Sequence, residues 1–484
     1  MKSTTPFSRR TVLQSGGAAA ALAMSQVRMA FAAPDSDLTG QLARYMVAAR
    51  DTPLAPEIAV ACKQRILDAF AAMVSGSRLR PGVLAVAYAR KLGGSAEATV
   101  IGTNFRTTDI NATLANAMCA HADETDDFHL ISNAHPGSTA VPAALAVGER
   151  EGRSGQDFIR AVALGYDLGC RLTLAMGPVM VKDAHHTGPS LSAAYAALGA
   201  ASSLAQLDET KMRYALSYTS QQLAGLGSWT RDKDHIEKAF DFAAMGSMDA
   251  VMAVRMVQSG MTGILDILDG KDNPFVAFSP KPQPEEMVKD LGRVFYCTET
   301  AIKKLPVGYP LQSPLDAFLA LRRDEHLTPD NVRSIVVKLP PDGYDIANNS
   351  PMSDINCQHL IGMALLKGVI TFADTHNAAL MRDPAIMAQR AKVSVVSDPS
   401  IADPIATRSA MVEVTMTDGR TASKFTKFAP GATQNPLSTE DVNQKARDLM
   451  GPVLGSHKTA QLIGLINNME TVKNIRQIRP FLSA

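Results

Sequence analysis

Between His121 and Ser138 the chain reads His121-Ala122-Asp123-Glu124-Thr125-Asp126-Asp127-Phe128-His129, then His135-Pro136-Gly137-Ser138. Three histidines, three aspartates and a glutamate fall within fifteen positions of a protein in which only 20% of residues are charged. Imidazoles and carboxylates gathered against a buried face are the equipment of proton transfer, because their pKa values can be tuned toward neutrality. A second cluster, His185-His186-Thr187-Gly188-Pro189, has the same arrangement: histidine, turn residues, then an Ala-rich helix. Free N–H groups at a helix N-terminus favour an anion, so two such ends could hold carboxylates of a small acid and leave an imidazole near its α-carbon. A third patch, Trp229 to Phe242, contributes Arg231, His235 and Lys238.

Roles follow from residue type. His135 is expected to be the general acid/base at the reacting carbon, and His185 a second acid/base or a carboxylate ligand. Lys238 is the candidate partner for a carboxylate or an enolate-like charge. Glu124 could orient an imidazole or accept a proton. Asp127 joins the catalytic candidates, while Asp126, His129, Ser138 and Thr187 are candidate substrate contacts. Each has a plainer alternative: His135 capping its helix, Lys238 in a surface ion pair with Asp234 or Asp241, and His121 and His129 serving structure alone.

The elements that must position these groups are mostly helices. Asp109 is a plausible N-cap, after which Ile110, Leu114, Met118 and Ala122 repeat on one face, and His121 continues that inward stripe. A helix over Ser138 to Glu149 follows His135. Pro56, Gly155 and Asp208 open others, and the Ala-rich run Pro189 to Leu204 should let a neighbour approach closely. The pattern changes near Asn273-Pro274. Strands are predicted at 332–337, 391–396 and Met411 to Thr417, the last turned by Asp418-Gly419 into 420–428 as a type I′ hairpin. Helices over 314–323 and 355–366 interleave with them, and Ser438 with Asp441 forms a capping box opening the final helices. The predicted fold is mainly α with an α+β lid: a helical domain over 36–272, a smaller α+β domain over 273–432, and a return to helix over 433–484.

Composition narrows the function. A formal net charge of +1 argues against a nucleic-acid or membrane-surface partner, and 46% hydrophobic content can build a large core. Five widely spaced cysteines, an odd number, read as buried thiols. The N-terminus carries a twin-arginine pattern, Ser8-Arg9-Arg10-Thr11-Val12-Leu13, a short apolar run from Ala18 to Met24, and the small-x-small site Ala30-Phe31-Ala32. That reads as a signal peptide over 1–33, too short in its apolar part to span a membrane, and implies a periplasmic protein exported already folded.

Several ordered motifs resemble one family, MmgE/PrpD. His121 to His129 resembles its H-A-x-[DE]-x-D-D-x-H element, and His135 to Ser138 its H-P-G/S. Asp183 to Gly188 is similar to its G-F-H-x-T-G, with His185 at the histidine, and Glu237 to Phe240 places its lysine at Lys238. Lys303 to Asp316, with Tyr309, Gln312 and Ser313, resembles the entry to the lid, and Ser313 thereby becomes a candidate substrate contact. Ser353 to Asn356 and Ala364 to Thr371 resemble the lid's helical core. The resemblance, spanning 37–470, implies a helical domain plus lid, usually a homodimer, with no metal or organic cofactor. It also implies lyase chemistry, loss of water or CO2 from a small di- or tricarboxylic acid, or isomerisation by the same proton abstraction. Three departures stand out: Glu124 in place of aspartate, Phe128 in place of a small polar residue, and Pro310 where several members have histidine. An altered lid over an unaltered His135, His185 and Lys238 points to retained proton transfer on a different substrate.

Two rivals come from other classes. A metallohydrolase would use the same residue types, but compact zinc spacings are missing. A periplasmic carboxylate-binding protein without chemistry would show two lobes of alternating strand and helix, which this largely helical chain lacks.

Overall fold

The computed structural model describes residues 37–483; the expected signal peptide lies outside them. The helices longer than two turns are α1 (Leu38–Asp51), α2 (Pro56–Gly76), α3 (Arg80–Leu92), α4 (Asp109–Ala120), α5 (Gly137–Glu151), α6 (Gly155–Met176), α7 (Gly188–Leu204), α8 (Glu209–Gln221), α9 (Met245–Gln258), α10 (Gln312–Asp324), α11 (Cys357–Lys367), α12 (Thr439–Leu454) and α13 (Ser456–Asn467). The protein is mainly helical with a small α+β part. No described helix is long and apolar enough to cross a membrane.

Local chemistry sets the helix starts. Asp109 does not cap α4. The Thr108 hydroxyl accepts from the Asn111 N–H, and Asp109 is the first helical residue, its carboxylate held by Arg255 at 2.7 Å and by Arg150. Thr108 wins because its extended backbone aims the hydroxyl at the free N–H groups. Ser154 and Asp157 form a capping box on α6, and Ser438 with Asp441 forms the expected one on α12. Where α6 crosses α7 the helices nearly touch: a Cβ on Gly165 would lie 2.6 Å from the Ala196 carbonyl and 2.7 Å from Ala140 Cβ. Small residues on α7 make that approach possible, as its composition requires.

Strands β1 (Val332–Leu339), β2 (Val393–Ser397), β3 (Ala410–Met416) and β4 (Thr421–Thr426) form one sheet in the order β2-β1-β3-β4. The β1–β2 pair is parallel, with Ile335 opposite Val393; β3 runs antiparallel to both β1 and β4. The β3–β4 turn is not type I′. The Gly419 N–H donates to the Met416 carbonyl, and Met416 pairs across to Arg420. Gly419 has positive φ and Asp418 does not, so one left-handed residue, not two, closes the hairpin. Alternate β3 residues Ala410, Val412, Val414 and Met416 are buried, with α10 and α11 over the sheet.

Two hydrophobic cores result. One joins α1, α2 and α4 to α9 with α12 and α13; the other, from Val307 to Met416, lies between the sheet and α10 and α11. All five cysteines are buried free thiols.

Candidate active site

The acidic segment follows α4 directly, and three distant parts of the chain fix it. The Phe128 N–H donates to the Ala301 carbonyl at 3.0 Å, and Ala301 returns the bond at 2.9 Å. Lys445 on α12 donates to the Thr125 carbonyl at 2.7 Å while pairing with Asp68 of α2 at 2.5 Å. From 235 onward a short helix, Ile236–Ala239, and a π-helical turn, Phe240–Ala244, lead into α9. Such π-turns concentrate at functional sites, and this one sets Lys238 and Phe242 side by side, the ammonium 5.2 Å from the ring centre.

Asp126 is the hub. Its Oδ2 lies 2.8 Å from His121 Nδ1 and 3.1 Å from His135 Nδ1, and its Oδ1 lies 3.2 Å from Lys303 Nζ. Burial alone would raise the Asp126 pKa, but both imidazoles and the Lys303 ammonium hold it well below the usual carboxylate range. An ionised carboxylate only accepts, so both Nδ1 atoms carry hydrogen and both Nε2 atoms point away from Asp126. Burial pushes His121 down to about 4, so it is neutral at physiological pH. His135 Nε2 has no protein partner among the described residues, which leaves it available for proton transfer.

Glu124 is the second hub. Its Oε1 accepts from Lys238 and lies 3.0 Å from His235 Nε2, while Oε2 lies 3.6 Å from Lys303 Nζ. Burial opposes its ionisation, yet Lys238, Lys303 and His235 hold its pKa well below normal. Lys303 is wholly buried; desolvation would lower its pKa, but Asp126 and Glu124 raise it above the ordinary lysine value. Behind this pair, His376 Nε2 reaches Asp123 Oδ2 at 3.0 Å. Although burial opposes it, Asp123 lifts His376 to about 9. Asp354 is buried nearby and raised, chiefly by desolvation.

Aromatic rings enclose the imidazoles. His135 has Phe128 at 5.0 Å and Phe242 at 5.8 Å between ring centres, and Phe242 stacks on His121 at 5.2 Å. Tyr309 lies 5.2 Å from Phe128, and Trp229 lies 4.8 Å from Phe242.

The structure therefore unites His135, Glu124, Asp126 and Lys238, and the partner of Lys238 is Glu124, not Asp234 or Asp241. Other expectations are corrected. Asp126 is sealed behind its imidazoles, too deep for a substrate contact. Asp127 accepts from Gly137 N–H at 3.0 Å and from Tyr166 OH, anchoring the start of α5. Burial raises it to about 7. Gly137 is required there, since a Cβ would sit 2.7 Å from both Asp127 Oδ1 and the Tyr166 hydroxyl. His129 faces away, 2.6 Å from Ser132 Oγ and edge-on to Tyr296. Ser138 donates to its own turn, to the His135 carbonyl at 3.0 Å. Thr187 is buried beside Asp241, and Ser313 lies in the first turn of α10 without a side-chain bond to the cluster. His185 is exposed, in a left-handed turn at φ 65°; its N–H donates to the Lys182 carbonyl at 2.9 Å and its carbonyl accepts from Gly227 N–H at 3.0 Å. That turn ends a six-residue helix, and among the described residues no hydrogen bond, ion pair or ring contact joins the imidazole to the cluster.

Sequence reasoning missed Lys303, His376 and Asp354 as site members and undervalued His121 and His235. Lys303 stands 177 positions from Asp126; its one local sign is that it opens a segment resembling the lid entry.

His121, Glu124 and His235, or His121, Asp126 and His135, place ligand-type atoms within 4.8 Å of one another. Both carboxylates already neutralise ammonium groups. A divalent ion about 4 Å from one ammonium meets repulsion of about 8 kcal/mol at an effective dielectric near 20. The donor set fits paired organic cations better than a metal.

Comparison with known proteins covers most of the chain. The MmgE/PrpD N-terminal domain model matches residues 40–287, and the C-terminal domain model matches 305–471. The cis-aconitate decarboxylase-like protein oryM of Aspergillus oryzae is 22% identical over 479 residues, covering 93% of this chain and 98% of that relative. Human cis-aconitate decarboxylase is 24% identical over 431 residues, 85% of this chain and 87% of its own length, and the mouse enzyme is 24% identical over 436. With this geometry, the matches make the protein a lyase. The chain belongs to the MmgE/PrpD family.

Proposed function

We propose that this lyase eliminates water or CO2 from a small carboxylic acid by proton transfer at the carbon next to a carboxylate, without a metal or organic cofactor. The observation that carries this is Asp126 binding both Nδ1 atoms, which leaves His135 Nε2 as an oriented base beside the Glu124–Lys238 pair. In the dehydration branch, His135 Nε2 takes the α-proton and the electron pair forms the C=C bond. The β-hydroxyl departs as water after receiving a proton from the imidazolium. In the decarboxylation branch, His135 Nε2 first takes a proton from solvent; the C–C bond breaks, CO2 leaves, and the electron pair left on the carbon takes that proton from the imidazolium. Lys238 and Lys303 stabilise the enolate-like charge in both. Return of the proton without elimination would make the same site an isomerase.

Proton NMR of candidate acids in deuterated buffer tests this, because exchange, elimination and decarboxylation appear in one spectrum. General acid–base catalysis contributes about 10²–10⁴-fold, so His135→Ala should lower turnover roughly a hundredfold or more with the fold intact. Unchanged turnover removes His135 from the mechanism, and activity lost on prolonged chelation refutes the cofactor-free reading. Two further proposals rest on the sequence. The twin-arginine motif supports export to the periplasm, tested by cell fractionation. The family resemblance supports a homodimer, tested by light scattering.

A further inference from the structure

We propose that His235 is a positioning residue for Lys238, holding its ammonium in place through the carboxylate of Glu124. The proposal rests on the reading above, in which that ammonium meets the enolate-like charge. His235 keeps its place against two local preferences. Its backbone is left-handed at φ 58°, a conformation that is unfavourable for a residue with a Cβ. Its Nδ1 is buried with no hydrogen-bond partner among the described residues. The side chain does not cap the short helix it precedes, so capping does not account for the ring. What the conformation achieves is the contact of Nε2 with Glu124 Oε1 at 3.0 Å.

Glu124 is held ionised, so it accepts from His235 Nε2–H. Lys238, three residues farther on, donates to the same Oε1. One turn of chain thus closes on one oxygen with two donors, an imidazole N–H and an ammonium. With Oε1 filled and Lys303 Nζ facing Oε2 at 3.6 Å, the carboxylate has little freedom to turn. Lys238 Nζ also lies 5.1 Å from the Trp229 ring centre and 5.2 Å from that of Phe242. Ring faces attract an ammonium without neutralising it. Without the imidazole, Oε1 has a free lone pair and the carboxylate can turn. The ammonium then draws onto it and off the rings, which leaves less of its charge for a substrate. A displacement of about 1 Å in a group of this kind can cost about a hundredfold in rate.

Trp229 is the only tryptophan of the chain. Indole emission responds to a nearby charge, so its fluorescence reports where the ammonium sits with no substrate present. The test uses the full chain. His235→Gly removes the ring and suits the left-handed backbone, which spares the fold. His235→Asn, tolerant of the same backbone but too short to reach Glu124, takes its place if the glycine variant fails to fold. Either should shift the Trp229 emission maximum, as Lys238→Met should, and adding His235→Gly to Lys238→Met should shift it no further. His235→Gln, whose amide N–H can replace Nε2–H, should restore the wild-type spectrum. Turnover is followed by NMR on citrate and cis-aconitate. In His235→Gly, kcat should fall by about tenfold to a hundredfold with KM within about threefold. With Lys238→Met already present, the same change should cost under about twofold. A wild-type spectrum in His235→Gly, a full second shift in the double variant, or an unchanged kcat overturns the proposal and leaves proton transfer standing. A wild type silent on every candidate acid overturns proton transfer instead, and the spectra still decide whether His235 holds Lys238.

Discussion

Asp126→Asn tests the central electrostatic argument. Oδ2 of Asp126 accepts from two imidazoles and Oδ1 from Lys303, at 2.8, 3.1 and 3.2 Å. An amide has one acceptor side and one donor side. If its NH2 faces the imidazoles, His121 and His135 must turn their Nδ1 atoms into acceptors, which puts the proton on Nε2 and removes the base. If it faces Lys303, two donors oppose each other, and the ammonium keeps only Glu124 at 3.6 Å. The first orientation should cost about 10²–10⁴-fold in turnover, the range for a lost general base. The second should cost stability, on the order of 3–5 kcal/mol for removing one partner of a buried pair. Turnover is read by NMR and stability by urea unfolding. Adding Lys303→Met should recover part of the lost stability and none of the activity, because it removes the stranded charge together with an ammonium that stabilises the enolate-like charge. Wild-type turnover and stability in the Asp126→Asn protein would refute the reasoning.

Three other outcomes follow from named contacts. His376 is raised to about 9 against about 6.5 in an unfolded chain. Its pairing with Asp123 therefore stabilises fully below about pH 6.5 and fades to nothing as pH rises through about 9, by at most about 3 kcal/mol. The melting temperature should fall across that window, and His376→Gln should flatten the fall. Asp127→Asn should keep turnover within about tenfold, since its amide can still accept from Gly137 N–H and donate to the Tyr166 oxygen; a loss on the order of a thousandfold would restore Asp127 to the chemistry. Gly137→Ala should destabilise by about 1–3 kcal/mol through overpacking against Asp127 and Tyr166, measured by thermal unfolding, and should lower turnover by displacing His135.

Much of the site was legible because it is local. His121, Glu124, Asp126 and His135 lie on one short stretch between two helices, so their types and spacing already announced acid/base chemistry. Lys238 stood out in the patch from Trp229 to Phe242, and a family motif then matched it. His185 matches its motif as well, yet its imidazole makes no contact with the cluster among the described residues, and its backbone takes a left-handed turn. Asp127 and His129 misled for a different reason. Acidic and imidazole groups on consecutive loop residues point in different directions, and only packing decided that Asp127 meets Tyr166 and His129 meets Ser132.

Helical periodicity, caps and the Ala-rich run of α7 were properties of the sequence, since each depends on neighbours within a few residues. So was the gathering of histidines and acids after α4. Tertiary structure alone decided which ammonium faces which carboxylate. Lys303 reaches Asp126 because Phe128 and Ala301 exchange hydrogen bonds, and His376 reaches Asp123 across more than two hundred residues of chain. Pairings of that kind depend on the closure of long loops and on burial, which sets their strength, and neither is encoded in local spacing.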